Sequence, residues 1–171
     1  MKLTTKQDHA NELLAGTATH CMLFGGSRSG KTFLAVWAIV LRALIAPGSR
    51  HLIVRFRFNH VITSIWHDTF PKVMSICFPE VTYTPNKTSY FITLPGGSEI
   101  WFGGLDDKDR TEKILGQEYA TIFFNECSQI PLSARNMAVT RLAQNCVATV
   151  GGQQRQMRRV SRTNQQIWRG K

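Results

Sequence analysis

The sequence predicts an α/β fold in which a mainly parallel sheet is flanked by helices. Short apolar runs alternate along the chain with longer segments whose apolar residues recur at helical spacing. The first pair is the run 20–24 followed by the segment 33–44, and the second is the run 52–56 followed by the segment 61–77, which is interrupted near Pro71. Strands that alternate with helices are typical of a parallel sheet covered on both faces.

Local signals place the other elements. Thr4 and Gln7 have the spacing of a capping box, which predicts a short first helix that ends at Gly16. Three β-rich stretches split by turn signals predict antiparallel pairing in an insertion or at a sheet edge, namely 81–83, 89–94 and 99–102. Downstream we predict a short helix over 106–115, a buried strand over 119–124 and a helix over 132–142.

Length and composition set the class of protein. The chain has 171 residues, 43% of them hydrophobic, which suits one domain with a buried core and argues against global disorder. The first residues lack the apolar run of a secretion signal, and the longest apolar stretch, Phe33–Leu41, is too short to span a bilayer. We therefore expect a soluble, cytoplasmic protein without a membrane partner.

The net charge of +10 indicates a polyanionic partner, but the charge is unevenly spread. Residues 151–171 carry six basic side chains and no acidic one, whereas residues 1–150 carry 15 basic and 11 acidic side chains. From about Val147 the composition also shifts to Gln, Arg and Asn. We therefore divide the chain into a folded domain, 1–146, and a basic tail, 147–171, for which no fold is predicted.

The strongest chemical signal is Gly25-Gly26-Ser27-Arg28-Ser29-Gly30-Lys31-Thr32, which matches GxxxxGK[ST] between a predicted strand and a predicted helix. The glycines let backbone N–H groups turn towards phosphate oxygens, and the start of the helix adds its positive dipole end. We expect Lys31 to bridge the β- and γ-phosphates and the Thr32 hydroxyl to ligate Mg²⁺. The run predicts a P-loop NTPase that binds ATP and Mg²⁺.

A second strand end supplies the carboxylate that hydrolysis needs. The apolar run 122–124 leads into Asn125 and Glu126 at its carboxyl end, where ligands bind in open α/β sheets. Glu126 is the candidate catalytic residue that polarises the attacking water, and both residues are candidate Mg²⁺ ligands. Asn125 stands where P-loop ATPases usually place an aspartate; its amide keeps an oxygen acceptor but lacks the charge, which predicts weaker metal affinity. We assign the RecA-like (ASCE) type of P-loop fold.

Four other residues are weaker candidates. Arg28, inside the loop, could stabilise charge on the γ-phosphate in cis and is also a candidate catalytic residue. Gln7 could read the adenine edge, although its capping role is a sufficient explanation. Arg110 or Lys113 could reach the nucleotide of a neighbouring subunit, or could simply lie on a solvated helix face.

Four segments together resemble the large terminase subunit of tailed phages. They are 3–7, the P-loop, 101–107 and 115–128, and the resemblance covers roughly residues 1–146. A P-loop alone is common to many families. The combination of the P-loop arginine, Gly104-Leu105-Asp106-Asp107, and Leu115-Gly116-Gln117 ahead of an Asn-Glu strand end is what points to this one.

The resemblance implies an ATPase that pumps double-stranded DNA into a preformed capsid, as a ring of identical subunits docked on the portal protein, with a small terminase subunit for DNA recognition. It carries over Lys31 and Thr32 as nucleotide and magnesium positions, Glu126 as the catalytic glutamate and Arg28 as the P-loop arginine. The family continues with a Ser/Thr coupling motif, further strands and a two-metal nuclease domain. No acidic residue follows Glu126 here, so that nuclease cannot be built from this chain, and we expect an ATPase domain that is incomplete at its C-terminal end.

Two other functions stay open on the residues alone. One is a helicase- or recombinase-like P-loop ATPase, and the other is a catalytically weak nucleotide-binding fragment, which Asn125 favours. The tail has two interpretations as well. It is an unrelated segment produced by truncation or a change of reading frame, or a basic arm that binds DNA with steep salt dependence.

Overall fold

The computed structural model describes residues 3–166, apart from the side chains of Arg110, Gln165 and Gln166. The α-helices are α1 (Thr5–Ala15), α2 (Lys31–Ile45), α3 (Phe58–Val61), α4 (Phe70–Cys77), α5 (Lys108–Leu115) and α6 (Leu132–Val139). The strands are β1 (His20–Gly25), β2 (Arg50–Arg55), β3 (Thr84–Asn86), β4 (Phe91–Thr93), β5 (Glu99–Gly104), β6 (Thr121–Phe124), β7 (Val147–Val150), β8 (Gln153–Gln156) and β9 (Val160–Gln166).

Seven of these strands form one sheet in the order β1-β9-β6-β2-β5-β4-β3. The first five strands in this order are parallel, whereas β4 and β3 add to one edge in antiparallel pairing. Strands β7 and β8 form a separate antiparallel hairpin. The mainly parallel sheet and its antiparallel edge confirm the prediction, although the first short strand lies at Thr84–Asn86 and not at 81–83.

Strand β2 shows how the sheet holds helices on both faces. Ile53 packs with α2 and with the helices between residues 58 and 77 on one face, while Leu52 and Val54 pack with α5 and α6 on the other. Successive side chains of a strand point to opposite faces, so a strand covered on both sides is apolar throughout. This explains the uninterrupted apolar run that the sequence shows here.

Helix α1 begins with the predicted capping box. The Gln7 amide N–H donates to the Thr4 hydroxyl at 3.4 Å, and the Thr4 amide N–H donates to Gln7 Oε1 at 3.0 Å. The helix ends at Ala15, where the Gly16 N–H donates to the Glu12 carbonyl. Leu14 buries the inner face of α1 against α2.

The interruption expected near Pro71 takes the form of a π-helical segment, Ile62–Thr69, between α3 and α4. Proline has no backbone N–H, so it is best accommodated in the first turn of a helix, and Pro71 lies there in α4. The wider helical turn ahead of it keeps Ile65 and Trp66 in the core.

The structure differs from the expected basic tail. Strand β9 lies inside the sheet, between β1 and β6, and its residues 161–164 are at most 5% exposed. The apolar-run rule missed this strand because its buried positions are polar and several of them bond to neighbouring elements; the Thr163 hydroxyl, for example, donates to the Cys21 carbonyl at 3.3 Å. Arg169 and Lys171 of the predicted tail lie outside the described residues.

Strand β1 was expected to be buried, and the structure corrects this. It is the other edge strand of the described sheet, and only one of its faces is covered, where Cys21 and Leu23 pack with α1 and α2. On the opposite face Met22 is 47% exposed and Phe24 is 59% exposed. None of the helices within residues 3–166 is long and apolar enough to cross a bilayer.

His51 is a titratable group inside β2. It is fully buried; its Nε2 lies 2.9 Å from the Ser49 hydroxyl oxygen, and its Nδ1 has no partner among the described residues. Burial, together with the positive charge of Arg42, lowers the pKa of His51 to about 3. Between pH 6.5 and pH 3, His51 is therefore protonated in the unfolded chain and neutral in the folded chain.

We predict that the stability contributed by neutral His51 is lost as the pH falls from about 6.5 towards 3, by up to about 1.4 kcal/mol per pH unit. Urea unfolding across this range measures it. In His51→Gln, whose amide does not titrate, the free energy of unfolding should fall less steeply with acid than in the wild type. The exposed His67→Gln is the matched control and should keep the wild-type slope. Parallel curves for all three proteins would show that His51 does not set this dependence.

Candidate nucleotide site

The loop between β1 and α2 has the geometry of a P-loop. Strand β1 ends at Gly25 and α2 begins at Lys31, as predicted. Gly30, the N-cap of α2, adopts a left-handed conformation with φ 81°. A Cβ atom at Gly30 would lie 2.6 Å from Gln7 Nε2, so both the backbone conformation and the close approach of α1 require glycine there.

The Lys31 ammonium folds back over this loop. Its Nζ donates to the carbonyl oxygens of Gly25 at 3.1 Å and Gly26 at 2.7 Å, and to the Ser29 hydroxyl at 3.0 Å. All three acceptors are neutral. A phosphate oxygen makes a stronger, charge-assisted hydrogen bond, so a phosphoryl group would compete well for this ammonium.

Lys31 borders two cavities, one on each side of the loop. The larger one, of about 760 Å³, lies between the loop and α1 and is bordered by Gln7 and Phe24. The smaller one, of about 330 Å³, is bordered by Glu126, by Asp68 of the π-helical segment and by Lys72 of α4. The loop therefore has space on both flanks for a phosphorylated ligand, and Lys31 is directed towards that space.

A hydrogen-bond network joins the P-loop to the ends of two neighbouring strands. The Thr32 hydroxyl lies 3.3 Å from Asn125 Oδ1 and accepts a bond of 3.1 Å from Asn164 Nδ2. Asn164 Oδ1 in turn accepts from the Glu126 backbone N–H at 2.7 Å. Asn125 is 3% exposed and Asn164 is fully buried. The predicted residues Thr32, Asn125 and Glu126 are thus brought together, with Asn164 linking them.

Glu126 has an uncommon backbone conformation. Its φ of 55° and ψ of 55° are left-handed, which costs a residue other than glycine roughly 1 kcal/mol. The bond from its N–H to Asn164 holds this turn, and the half-buried Glu126 side chain borders the smaller cavity opposite Lys31. A carboxylate fixed at that position is able to accept a proton from water beside the P-loop.

Gln7 lies at the P-loop, and its amide group is occupied. Its Oε1 accepts from the Thr4 N–H, and its Nε2 donates to the Ser29 carbonyl at 3.3 Å. These bonds tie α1 to the loop. A role in reading adenine stays a prediction.

The arginine and lysine candidates are placed differently from one another. Arg28 is an exposed loop residue with φ 59° and borders both cavities. Lys113 donates to the Ser89 hydroxyl at 3.0 Å and borders a different cavity, beside Tyr90 and Trp101. The side chain of Arg110 lies outside what the structure describes.

Sequence reasoning missed Asn164 as a site residue. The signal used for Asn125 was a polar residue at the end of an apolar strand, and Asn164 lacks it, because β9 runs on to Gln166. The residues that directly precede Asn164 in β9 are polar as well. Asp68 and Lys72 carry no sequence signal, since only the position of their helical segments brings them near the loop.

We predict that Asn164→Ala lowers the free energy of unfolding by about 1–3 kcal/mol, because the Thr32 hydroxyl loses its donor and the buried Glu126 N–H loses its acceptor. Urea unfolding of wild type and variant measures the loss. Asn136→Ala is the control, since Asn136 is exposed on α6 and should cost little. Equal losses in the two variants would contradict the bridging role of Asn164.

Solved structures share this fold. The large terminase of a thermophilic bacteriophage superposes with a TM-score of 0.76 at 15% identity, over 96% of this chain and 39% of that one. The same terminase has been solved with ADP and with ATP-γ-S, each matching with a TM-score of 0.71. The large terminase of bacteriophage HK97 matches with a TM-score of 0.65 at 14% identity, over 97% of this chain and 33% of that one. This chain thus spans about two fifths of the first of these terminases and one third of the HK97 protein.

The ATPase domain of the Thermus phage P74-26 large terminase, solved as a point mutant, matches with a TM-score of 0.67 at 16% identity, over 96% of this chain and 65% of that one. None of the curated proteins matched the chain. A family model described as the N-terminal part of the terminase large subunit, T4likevirus-type, matches residues 22–166. That range includes β9 and most of the predicted tail. The chain therefore belongs to the terminase large subunit family, through the N-terminal part of that subunit.

Proposed function

We propose that this chain is the ATP-hydrolysing part of a phage DNA-packaging motor. The observation that carries the proposal is the convergence of Lys31, Thr32 and Glu126 at one edge of the sheet, around a cavity at the P-loop. A phosphate grip, a hydroxyl suited to a metal and a carboxylate are the parts that ATP hydrolysis needs. Family membership extends the proposal from hydrolysis to packaging.

The site residues fit ATP and Mg²⁺ in type and position. The amides of the loop from Gly25 to Thr32 and the Lys31 ammonium would hold the phosphates. The Thr32 hydroxyl, with Asn125 and Glu126, would hold the metal, which supplies charge neutralisation at the phosphates when it is bound. That a terminase of similar fold has been solved with ADP and ATP-γ-S supports this assignment.

Glu126 and Arg28 are the proposed catalytic residues beside Lys31. Glu126 borders the cavity at the P-loop and would orient and deprotonate the attacking water. Arg28 is exposed at the tip of the loop and would stabilise charge on the terminal phosphate in cis. Asn164 is a positioning residue, because it holds the Glu126 backbone and the Thr32 hydroxyl.

The partners follow from the family. We propose double-stranded DNA as the translocated substrate, a ring of identical subunits as the working form, and the portal protein and small terminase subunit as further partners. The motor would act in the cytoplasm of the host cell. The basic net charge of +10 supports a polyanionic substrate.

We predict that the wild type hydrolyses ATP with duplex stimulation and that Lys31→Ala lowers kcat by at least about 100-fold, because the phosphates lose their cationic grip. Steady-state ATPase rates without DNA, with single-stranded DNA and with duplex DNA measure this. Lys87→Ala is the control, since Lys87 carries the same charge, is exposed between β3 and β4 and borders neither cavity at the P-loop. Stimulation by single strands alone would favour a helicase-like enzyme, and no activity above Lys31→Ala would favour a nucleotide-binding fragment.

We predict opposite effects of Asn125→Asp without and with metal. Without ligand the buried carboxylate should lower Tm, because Asn125 is 3% exposed and its oxygen faces the Thr32 hydroxyl. With Mg²⁺ and ATP-γ-S the added charge should give a larger rise in Tm than in the wild type. Thermal unfolding with ATP-γ-S plus Mg²⁺ or plus EDTA separates the two effects.

The exposed Asn59→Asp adds the same charge away from the P-loop and serves as the control. An equal Mg²⁺-dependent rise in wild type and Asn125→Asp would show that position 125 does not face the metal.

A further inference from the structure

Another cavity, of about 520 Å³, lies at the opposite end of the sheet from the P-loop. It is bordered by the residues that lead into β1, the last turns of α2, the start of β9 and the β7–β8 hairpin. The P-loop stands at the carboxyl ends of the same parallel strands. This cavity and the two at the P-loop therefore do not share a ligand. This volume falls within the range of about 300–1,000 Å³ that is usual for ligand pockets in proteins.

Four arginines line this cavity, and no acidic residue does so among the described residues; we call it the arginine cavity. They are Arg42 of α2, Arg155 and Arg158 of the hairpin region, and Arg162 of β9. Neither of the two salt bridges among the described residues includes any of them. The rest of the wall is largely apolar, with Trp37, Ile45 and Val160 among its members.

Arg162 is the most enclosed of the four. It is 2% exposed, and its Nη2 donates to the Leu14 carbonyl at the end of α1. Its Nε and Nη1 have no hydrogen-bond acceptor among the described residues. A buried guanidinium whose remaining donors have at most a thiol, a weak acceptor, beside them is costly unless an anion completes it.

The positive charge of neighbouring Arg42 adds to the cost of burying Arg162. Burial lowers the pKa of Arg162, an effect partly offset by the charge of the neighbouring Cys21 thiol and by a side-chain hydrogen bond with it. Burial and the positive charge of Arg162 also lower the pKa of Arg42 to about 10. Arg42 itself donates to the Thr121 hydroxyl at 2.9 Å and to the Arg158 carbonyl. It therefore adds positive charge to the cavity wall without relieving Arg162.

We propose that the arginine cavity binds the carboxylate of a protein segment that places an acidic side chain next to an apolar one. The carboxylate would pair with the Arg162 guanidinium, and the apolar neighbour would pack on Trp37 and Ile45. Buried arginines flanked by aromatic and aliphatic side chains are typical anchors of protein interfaces. The site is independent of ATP binding and of the packaging function.

The geometry favours an acidic protein segment over nucleic acid. A duplex backbone presents its phosphates on a convex surface and is held mainly by exposed cations along a groove. Arg162 is among the residues that line a concave cavity, which can admit a single side chain but not the convex backbone of a duplex. Apolar walls add affinity for an aliphatic side chain and none for phosphate.

The test uses two matched peptides, acetyl-Leu-Glu-Leu-amide and its Gln counterpart, titrated into ¹⁵N-labelled full chain. The side-chain Nε–H signal of Arg162 and the indole signal of Trp37 should shift with the Glu peptide, while the indoles of Trp66 and Trp101, which lie outside this cavity, should not. The Gln peptide should bind about tenfold or more weakly, because a hydrogen bond to a charged group is lost. Equal shifts with both peptides, or no shift at Trp37, would overturn the proposal.

Variants locate the binding. Arg162→Met should weaken the Glu peptide about tenfold or more, whereas Arg141→Met, an exposed arginine elsewhere, and Lys31→Ala should leave it unchanged. If Arg162→Met does not fold, the wild-type shifts at Arg162 and Trp37 decide the question alone. A 20-base-pair duplex or inorganic phosphate that displaces the Glu peptide and shifts the same two signals at lower concentration would show a nucleic-acid or phosphate site and would overturn the proposal.

Discussion

The site depends on one constraint, which is that Thr32 at the start of α2 must meet Asn125, directly after β6, and Asn164 of the adjacent strand β9. The parallel register pairs Phe124 of β6 with Thr163 of β9, so the next residue of each strand, Asn125 and Asn164, also stand side by side. Strand β9 pairs with β1 on its other side, which leads directly into the P-loop. The Thr32 hydroxyl at the start of α2 can then contact both amides. Because β9 lies between β1 and β6, Asn164 is placed to bridge Thr32 and Glu126.

The same bonds connect the P-loop to Glu126, the proposed catalytic carboxylate. The Asn164 side chain donates to the Thr32 hydroxyl and accepts from the Glu126 N–H, so it contacts both residues at once. A metal that draws the Thr32 hydroxyl to itself would compete with Asn125 and Asn164 for that oxygen. Because Glu126 is held in a left-handed turn through Asn164, a shift of Thr32 is transmitted to the carboxylate through a single residue.

Much of the fold could be predicted from the sequence, and the failures share a cause. The P-loop, the capping box at Thr4 and the strand that ends in Asn125 and Glu126 have local signals, and the structure contains all three. Strand β9 and the exposure of β1 could not be predicted, because both depend on which strands become neighbours. A polar run such as 161–164 is stable in a sheet only when particular partners, here Leu14, Cys21 and Thr32, accept or donate its hydrogen bonds. Single-sequence periodicity carries no information about those partners.

The position of β9 also changes what the positive charge means. The six basic residues between 151 and 171 first indicated a free arm for a polyanion. Arg162 is instead buried in the sheet, and Arg158 donates to the Thr17 carbonyl at 2.9 Å beside the same cavity. Charges that serve internal structure or a concave pocket add little to the electrostatic attraction of a duplex, which depends on cations near its phosphates. The case for DNA as the substrate therefore rests on the terminase family and the P-loop site, and only weakly on the net charge.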